Sequence, residues 1–158
     1  DKYRTKEKPE EKPTLSQVTV CTAQSKAASA RYARLEPVAE GVFFTRALVS
    51  EPANVIHPES LAEQCKGLAK LGLEVKVLGE AEMKKLGMGA LLGVGQGSVR
   101  ESQLVVMQWN GAGAKSKAAP LAFVGKGVTF DTGSISIKPA AGMEEMKWDM
   151  GGAGAVIG

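Results

Sequence analysis

The chain has 158 residues, 44% hydrophobic and 23% charged, a balance that suits one ordinary globular domain and argues against a mainly disordered polymer. No apolar run approaches the ~18–20 residues that span a bilayer, so no membrane partner is expected. Its 20 basic and 17 acidic residues are interspersed, giving a formal charge of +3 without the clustered patch of a nucleic-acid binder. Glycine is over-used, 19 residues in all and mostly from Gly87 onward, where backbone freedom or close backbone approach is at a premium. Cys21 and Cys65 form no CxxC motif, so a reducing cytoplasmic setting is expected rather than a disulfide framework. The chain starts without Met and stops inside an apolar run, and is read as a segment of a longer protein.

Residues 1–13 carry five basic and four acidic side chains with two prolines, a composition that cannot bury enough apolar area to offset its ordering entropy. It reads as a solvated connector, followed by a short strand at Leu15-Ser-Gln-Val-Thr-Val20. Residues 1–34 are therefore taken as the tail of a separate amino-terminal domain and its linker, and 35–158 as the start of the next domain. Leu35, Val38, Val42, Thr45 and Val49 recur at helical spacing, and Glu51-Pro52 should end that helix. Pro58 opens a second helix with Leu61, Cys65, Leu68 and Ala69 as its buried stripe and Gly72 as its stop.

Leu73, Val75 and Val77 alternate with charged residues as in a strand, Ala81 to Leu86 forms a short helix, and Gln103 to Trp109 is a further strand. A loop at Gly111 to Ala118 leads to an apolar strand, Leu121-Ala-Phe-Val124. Strands alternating with helices predict an α/β fold with a mixed, mainly parallel sheet flanked by helices, whose ligands gather where strands end.

Three features carry little chemistry. Gly93-Val-Gly95-Gln-Gly97 fails the G-x-G-x-x-G spacing and reads as a turn. Gly113-Ala-Lys115-Ser116 lacks the Gly directly before Lys that a phosphate loop requires, and reads as a solvated hairpin loop. His57, the single His, precedes Pro58 at a helix start and suits capping or the surface better than metal ligation.

The chemistry lies in residues 121–152. An apolar strand delivers Lys126 between two glycines, Asp131 follows after Phe130, Lys138 sits in Ile137-Lys138-Pro139, and Asp149 precedes Met150-Gly151-Gly152 at a helix start. In the plain alternative Lys126 pairs with Asp131 at a strand end, with Lys138 and Asp149 exposed, an arrangement of small energetic value. Charges in apolar, Gly-rich surroundings are costly unless compensated, and a bound cation compensates carboxylates. Hard oxygen donors without Cys or His suit Mn²⁺, Mg²⁺ or carboxylate-ligated Zn²⁺, while Lys126 could ligate only as the neutral amine.

This string closely resembles the leucyl aminopeptidases of the M17 cytosol aminopeptidase family, whose Gly-Lys-Gly-x-x-Phe-Asp-Ser/Thr-Gly-Gly-x-x-x-Lys-Pro and following Asp-Met-Gly-Gly mark a two-metal site. The matching pieces are Gly125-Lys126-Gly127, Phe130-Asp131-Thr132-Gly133, Ile137-Lys138-Pro139 and Asp149-Met150-Gly151-Gly152. Leu48-Val-Ser-Glu-Pro-Ala-Asn-Val55 resembles the start of the family's catalytic domain. The resemblance implies that 35–158 is the amino-terminal part of a catalytic domain.

It also implies that Lys126 and Asp149 ligate the more weakly held ion, that Asp131 bridges two divalent ions (Mn²⁺ or Zn²⁺), and that Lys138 is the catalytic electrophile. Met146 would line the pocket for the first side chain of the substrate. The implied reaction is hydrolytic release of amino-terminal residues from peptides, Leu and other large apolar ones preferred, in a cytoplasmic homo-hexamer with bicarbonate as a possible base.

Two departures stand out. Ser134 replaces the family's second Gly after Asp131, where a Cβ is costly if φ is positive. The family's second ligand cluster, Asn-Thr-Asp-Ala-Glu-Gly-Arg, is absent from these residues. The segment by itself is therefore expected to be inactive. The rival from another class is a non-catalytic assembly or nucleic-acid-binding module with a decayed metal loop.

Overall fold

The computed structural model describes every residue except 1, 4, 114, 115 and 117. The phosphate-loop look-alike at Gly113–Ser116 thus lies partly outside the described residues. The chain divides into two units, Asp1–Glu36 and Pro37–Gly158.

In the first unit a single 3₁₀ turn, Pro9–Glu11, interrupts extended chain. The expected strand at 15–20 does not form: Leu15, Val18 and Val20 are exposed, and no neighbouring strand pairs with them among the described residues. Helix α1, Ser25–Ser50, begins in this unit.

In the second unit α1 ends at Ser50, beside the Glu51-Pro52 stop, and it carries Pro37 in its interior. Its expected apolar stripe is buried only toward the carboxyl end. Leu35, Val38 and Val42 are exposed, Thr45 and Val49 are half-buried, and Leu48 is the one fully buried residue of α1. Helix α2, Pro58–Lys66, starts with Pro at its first position, where no intrahelical N–H is missed. His57 is its N-cap residue, and its backbone N–H donates to Ser60 Oγ at 2.9 Å. Leu61, Ala62 and Cys65 form the buried face of α2. A 3₁₀ turn, Gly67–Leu71, then ends at Gly72, whose φ of 94° only glycine adopts easily. Leu68 is half-buried and Ala69 exposed, so Ala62 takes the place expected for Ala69.

Strand β1, Glu74–Leu78, helix α3, Glu80–Lys85, helix α4, Gly89–Gly95, and strand β2, Leu104–Gln108, follow in order. The turn expected at Gly93–Gly97 forms only at Gln96 and Gly97, and Gly93–Gly95 are the end of α4. The two strands pair antiparallel, with Glu74 opposite Gln108, Lys76 opposite Val106 and Leu78 opposite Leu104. This differs from the expected mainly parallel sheet. The chain reverses through α3 and α4, and among the described residues Leu121–Val124 finds no neighbour and stays exposed. A strand needs a hydrogen-bonded partner, and apolar composition does not supply one.

The core joins Leu48 of α1, Ile56, Leu61 of α2 and the fully buried Met150, with Phe44, Val49 and Ile157 packed against it. Met150 ends a 3₁₀ helix, Met143–Met150, that runs straight into helix α5, Gly151–Ile157. The last turns of α1, α2 and the Asp149-Met150 corner are thereby held to one apolar centre.

Candidate functional site

Between Leu121 and Pro139 the chain has no regular structure except a 3₁₀ turn, Ser134–Ser136, so tertiary contacts must hold Lys126. Two backbone approaches do so. Gly125 lies so close to α5 that a Cβ on it would stand 2.6 Å from both Ala153 Cα and the Gly152 carbonyl oxygen. Ala153 donates its N–H to the Lys126 carbonyl at 2.8 Å. Lys126 thereby projects its ammonium onto Asp149, 2.5 Å from Oδ1 and 2.9 Å from the main-chain oxygen.

Asp131 is held by a local loop. Its Oδ1 accepts the Gly133 N–H at 2.7 Å, its Oδ2 accepts from Lys138 Nζ at 2.9 Å, and the Lys138 N–H returns to the Thr132 carbonyl at 2.9 Å. The bond from Lys138, then that from Gly133, outweighs desolvation and holds the Asp131 carboxyl below its usual value, with the positive charges of Lys138 and Lys126 adding to the effect. The loop turns on two successive left-handed residues, Gly133 at φ 91° and Ser134 at φ 51°.

The structure therefore brings the four charged residues together as two pairs, Lys126–Asp149 and Lys138–Asp131. The plain sequence alternative paired Lys126 with Asp131 and left the other two exposed. The partners are exchanged because α5 docks Asp149 against Lys126, while the 131–138 loop closes on itself and brings Lys138 to Asp131. Met146 sits half-buried in the 3₁₀ helix that leads to Asp149. His57 lies apart from these pairs in its contacts: its Nδ1 meets Glu59 Oε2 at 2.7 Å. Sequence reading missed the Gly125–Ala153 approach. The available signal was Gly151-Gly-Ala-Gly154, four small residues where a helix would otherwise carry bulk.

Two carboxylates and a potential amine are hard donors of the kind a divalent ion accepts, so the donor chemistry fits. The donor number is short. Among the described residues no group of three or more His, Cys, Asp or Glu side chains is placed to hold an ion. These side chains would supply only part of an ion's ligands.

Residues 43–158 match the model of the cytosol aminopeptidase family, catalytic domain, which places that stretch in a class of peptidase domains. The chain belongs to the cytosol aminopeptidase family. It is 65% identical over its whole length to a probable cytosol aminopeptidase of Caulobacter vibrioides, of which it covers 32%. Among solved structures it resembles the bottromycin maturation enzyme BotP in complex with Mn, at 33% identity and a TM-score of 0.71 over 97% of this chain and 32% of that one. It also resembles the leucyl aminopeptidase of Trypanosoma brucei in complex with bestatin, at 32% identity and a TM-score of 0.67 over 78% of this chain and 24% of that one. The chain spans about a third of the length of the curated relatives it matches.

Proposed function

We propose that the protein carrying these residues is a metal-dependent aminopeptidase that releases amino-terminal residues, Leu and other large apolar ones preferred, from peptides. The observation that carries this reading is the meeting of Lys126 with Asp149 and of Lys138 with Asp131 within one motif of a cytosol aminopeptidase relative. Family membership speaks against the non-catalytic assembly or nucleic-acid-binding alternative.

In this reading Lys126, Asp149 and Asp131 would together hold two divalent ions, Mn²⁺ or Zn²⁺. When bound, such ions polarise the peptide carbonyl and provide a nucleophile at neutral pH. The chain's own residues do the rest. Asp131 stays ionised because Lys138 and the Gly133 N–H stabilise its charge. An ammonium has three hydrogens and only one of those on Lys138 is directed at Asp131, so Lys138 can donate another to the carbonyl oxygen as negative charge builds on it. Lys126 would hold an ion only as the neutral amine, with its proton passed to solvent and its bond to Asp149 given up. Met146 borders the pocket for the first side chain.

Residues 1–34 are the end of an amino-terminal domain and its linker, and 35–158 begin the catalytic domain. Leu121–Val124 joins a mainly parallel sheet once the rest of that domain covers it. The complete protein works as a cytoplasmic homo-hexamer, with bicarbonate as a base. Residues 1–158 alone are inactive, because the donor set described above lacks further carboxylates.

The test uses the full-length polypeptide with leucine p-nitroanilide and Mn²⁺. Hydrolysis is expected, with loss on chelation and in Asp131→Ala. Calorimetry in buffers of differing ionisation enthalpy should show proton release on Mn²⁺ uptake, since an amine ligand must first be deprotonated. Cation uptake that is unchanged in Asp131→Ala overturns the site assignment.

A further inference from the structure

We propose that Thr45, in α1, is a positioning residue for the Lys126–Asp149 pair and acts on it through α5. The proposal rests on reading that pair as half of a metal site.

Helix α5 is a thin plate between two parts of the second unit. On one side Gly154 faces α1 so closely that a Cβ there would stand 2.9 Å from Val49 Cγ2 and 3.6 Å from Thr45 Cγ2. On the other, Gly152 and Ala153 rest against Gly125 and Lys126, tied by the Ala153–Lys126 hydrogen bond. Asp149 stands two residues before α5, so any slide or rotation of that helix moves its carboxylate against the Lys126 ammonium.

Seven residues with three glycines have little helical stability of their own. Tertiary contacts must supply the register. The Val49 contact is apolar and non-directional, and it holds α5 close without choosing its rotation. The Ala153–Lys126 bond is directional on the far side. On the α1 side, beside the close backbone approach of Gly41 to Gly158, the directional side-chain contact is the Thr45 hydroxyl, which donates to the Gly154 carbonyl at 2.9 Å across 109 positions of sequence. The Gly158 N–H donates to the same oxygen at 3.1 Å, and it belongs to α5's own last turn. The buried Met150 anchors the start of α5 in the core, and the Thr45 hydroxyl adds the side-chain hydrogen bond from α1 that sets the rotation of α5, and Asp149 with it.

The test compares Thr45→Val, which keeps the shape and removes the hydroxyl, with Thr45→Ser, which keeps the hydroxyl. Both are made in the full-length polypeptide and read by hydrogen–deuterium exchange mass spectrometry and Mn²⁺ titration. Thr45→Val should raise exchange about tenfold in the peptide over 151–157, leave β1 and β2 unchanged, and weaken Mn²⁺ binding about two- to tenfold. Thr45→Ser should behave as wild type. The proposal is overturned if Thr45→Val leaves 151–157 unchanged, if it speeds β1 and β2 equally, or if Thr45→Ser fails to restore protection. An Asp149→Asn protein that binds Mn²⁺ as wild type does overturns the half-site reading alone, and the exchange measurements still decide whether Thr45 holds α5.

Discussion

Ala153 donates its backbone N–H to the Lys126 carbonyl oxygen at 2.8 Å, joining the start of α5 to a segment that has no secondary structure of its own. That bond requires two backbones in contact, which is why Gly125 precedes Lys126. Any side chain at 125 would stand inside the Gly152–Ala153 peptide.

Gly125→Ala should therefore cost about 1–3 kcal/mol, the usual penalty for overpacking, because the atoms it meets are backbone and cannot swing aside. Gly151→Ala is the control. A Cβ there meets nothing within 4 Å, and alanine favours helix by about 1 kcal/mol over glycine. Urea unfolding midpoints should move in opposite directions for the two variants. A neutral Gly125→Ala would mean that the close approach does not hold the site.

Ser134 is the one described non-glycine residue with positive φ, at 51°, and its side chain is exposed. The family's glycine is therefore missed for its backbone freedom and not for space. Ser134→Gly should stabilise the loop by about 1 kcal/mol, seen as a higher Tm. Gly133→Ala should do the reverse and more strongly, since at φ 91° its Cβ would lie 2.2 Å from the Ser136 carbonyl oxygen.

Glu59 predicts a pH dependence away from the lysine–aspartate pairs. Its own backbone N–H does most to hold the carboxyl below its ordinary value of 4.5, and the His57 ring and the Glu101 N–H add to this against the opposing effect of desolvation. A folded-state value below the unfolded one stabilises fully above 4.5 and loses that contribution as pH falls through the folded value. The stability gap between wild type and Glu59→Gln should be widest at neutral pH and close in acid. A gap of constant size from pH 7 to 3, measured by urea unfolding, would show that Glu59 ionisation does not contribute.

Local elements were legible where a local cause exists. Pro58, Gly72 and the alternation at 73–77 marked a helix start, a stop and a strand, and α2, Gly72 and β1 lie within a residue or two of those marks. Periodicity misled where burial depends on a distant partner. The α1 stripe looks continuous in sequence, yet only its carboxyl-terminal part meets the core of Leu48, Ile56, Leu61 and Met150. Leu121–Val124 has the composition of a strand but no described neighbour to pair with.

The sequence by itself singled out the candidate side chains, Lys126, Asp131, Lys138 and Asp149, because the motif names residue types and spacing directly. Only the tertiary structure decided how they pair. The loop from Asp131 to Lys138 closes on itself through short-range hydrogen bonds, whereas Lys126 meets Asp149 where the start of α5 packs against Gly125. A carboxylate accepts whichever ammonium the packing brings within reach, and packing across such sequence distances leaves no mark in local spacing.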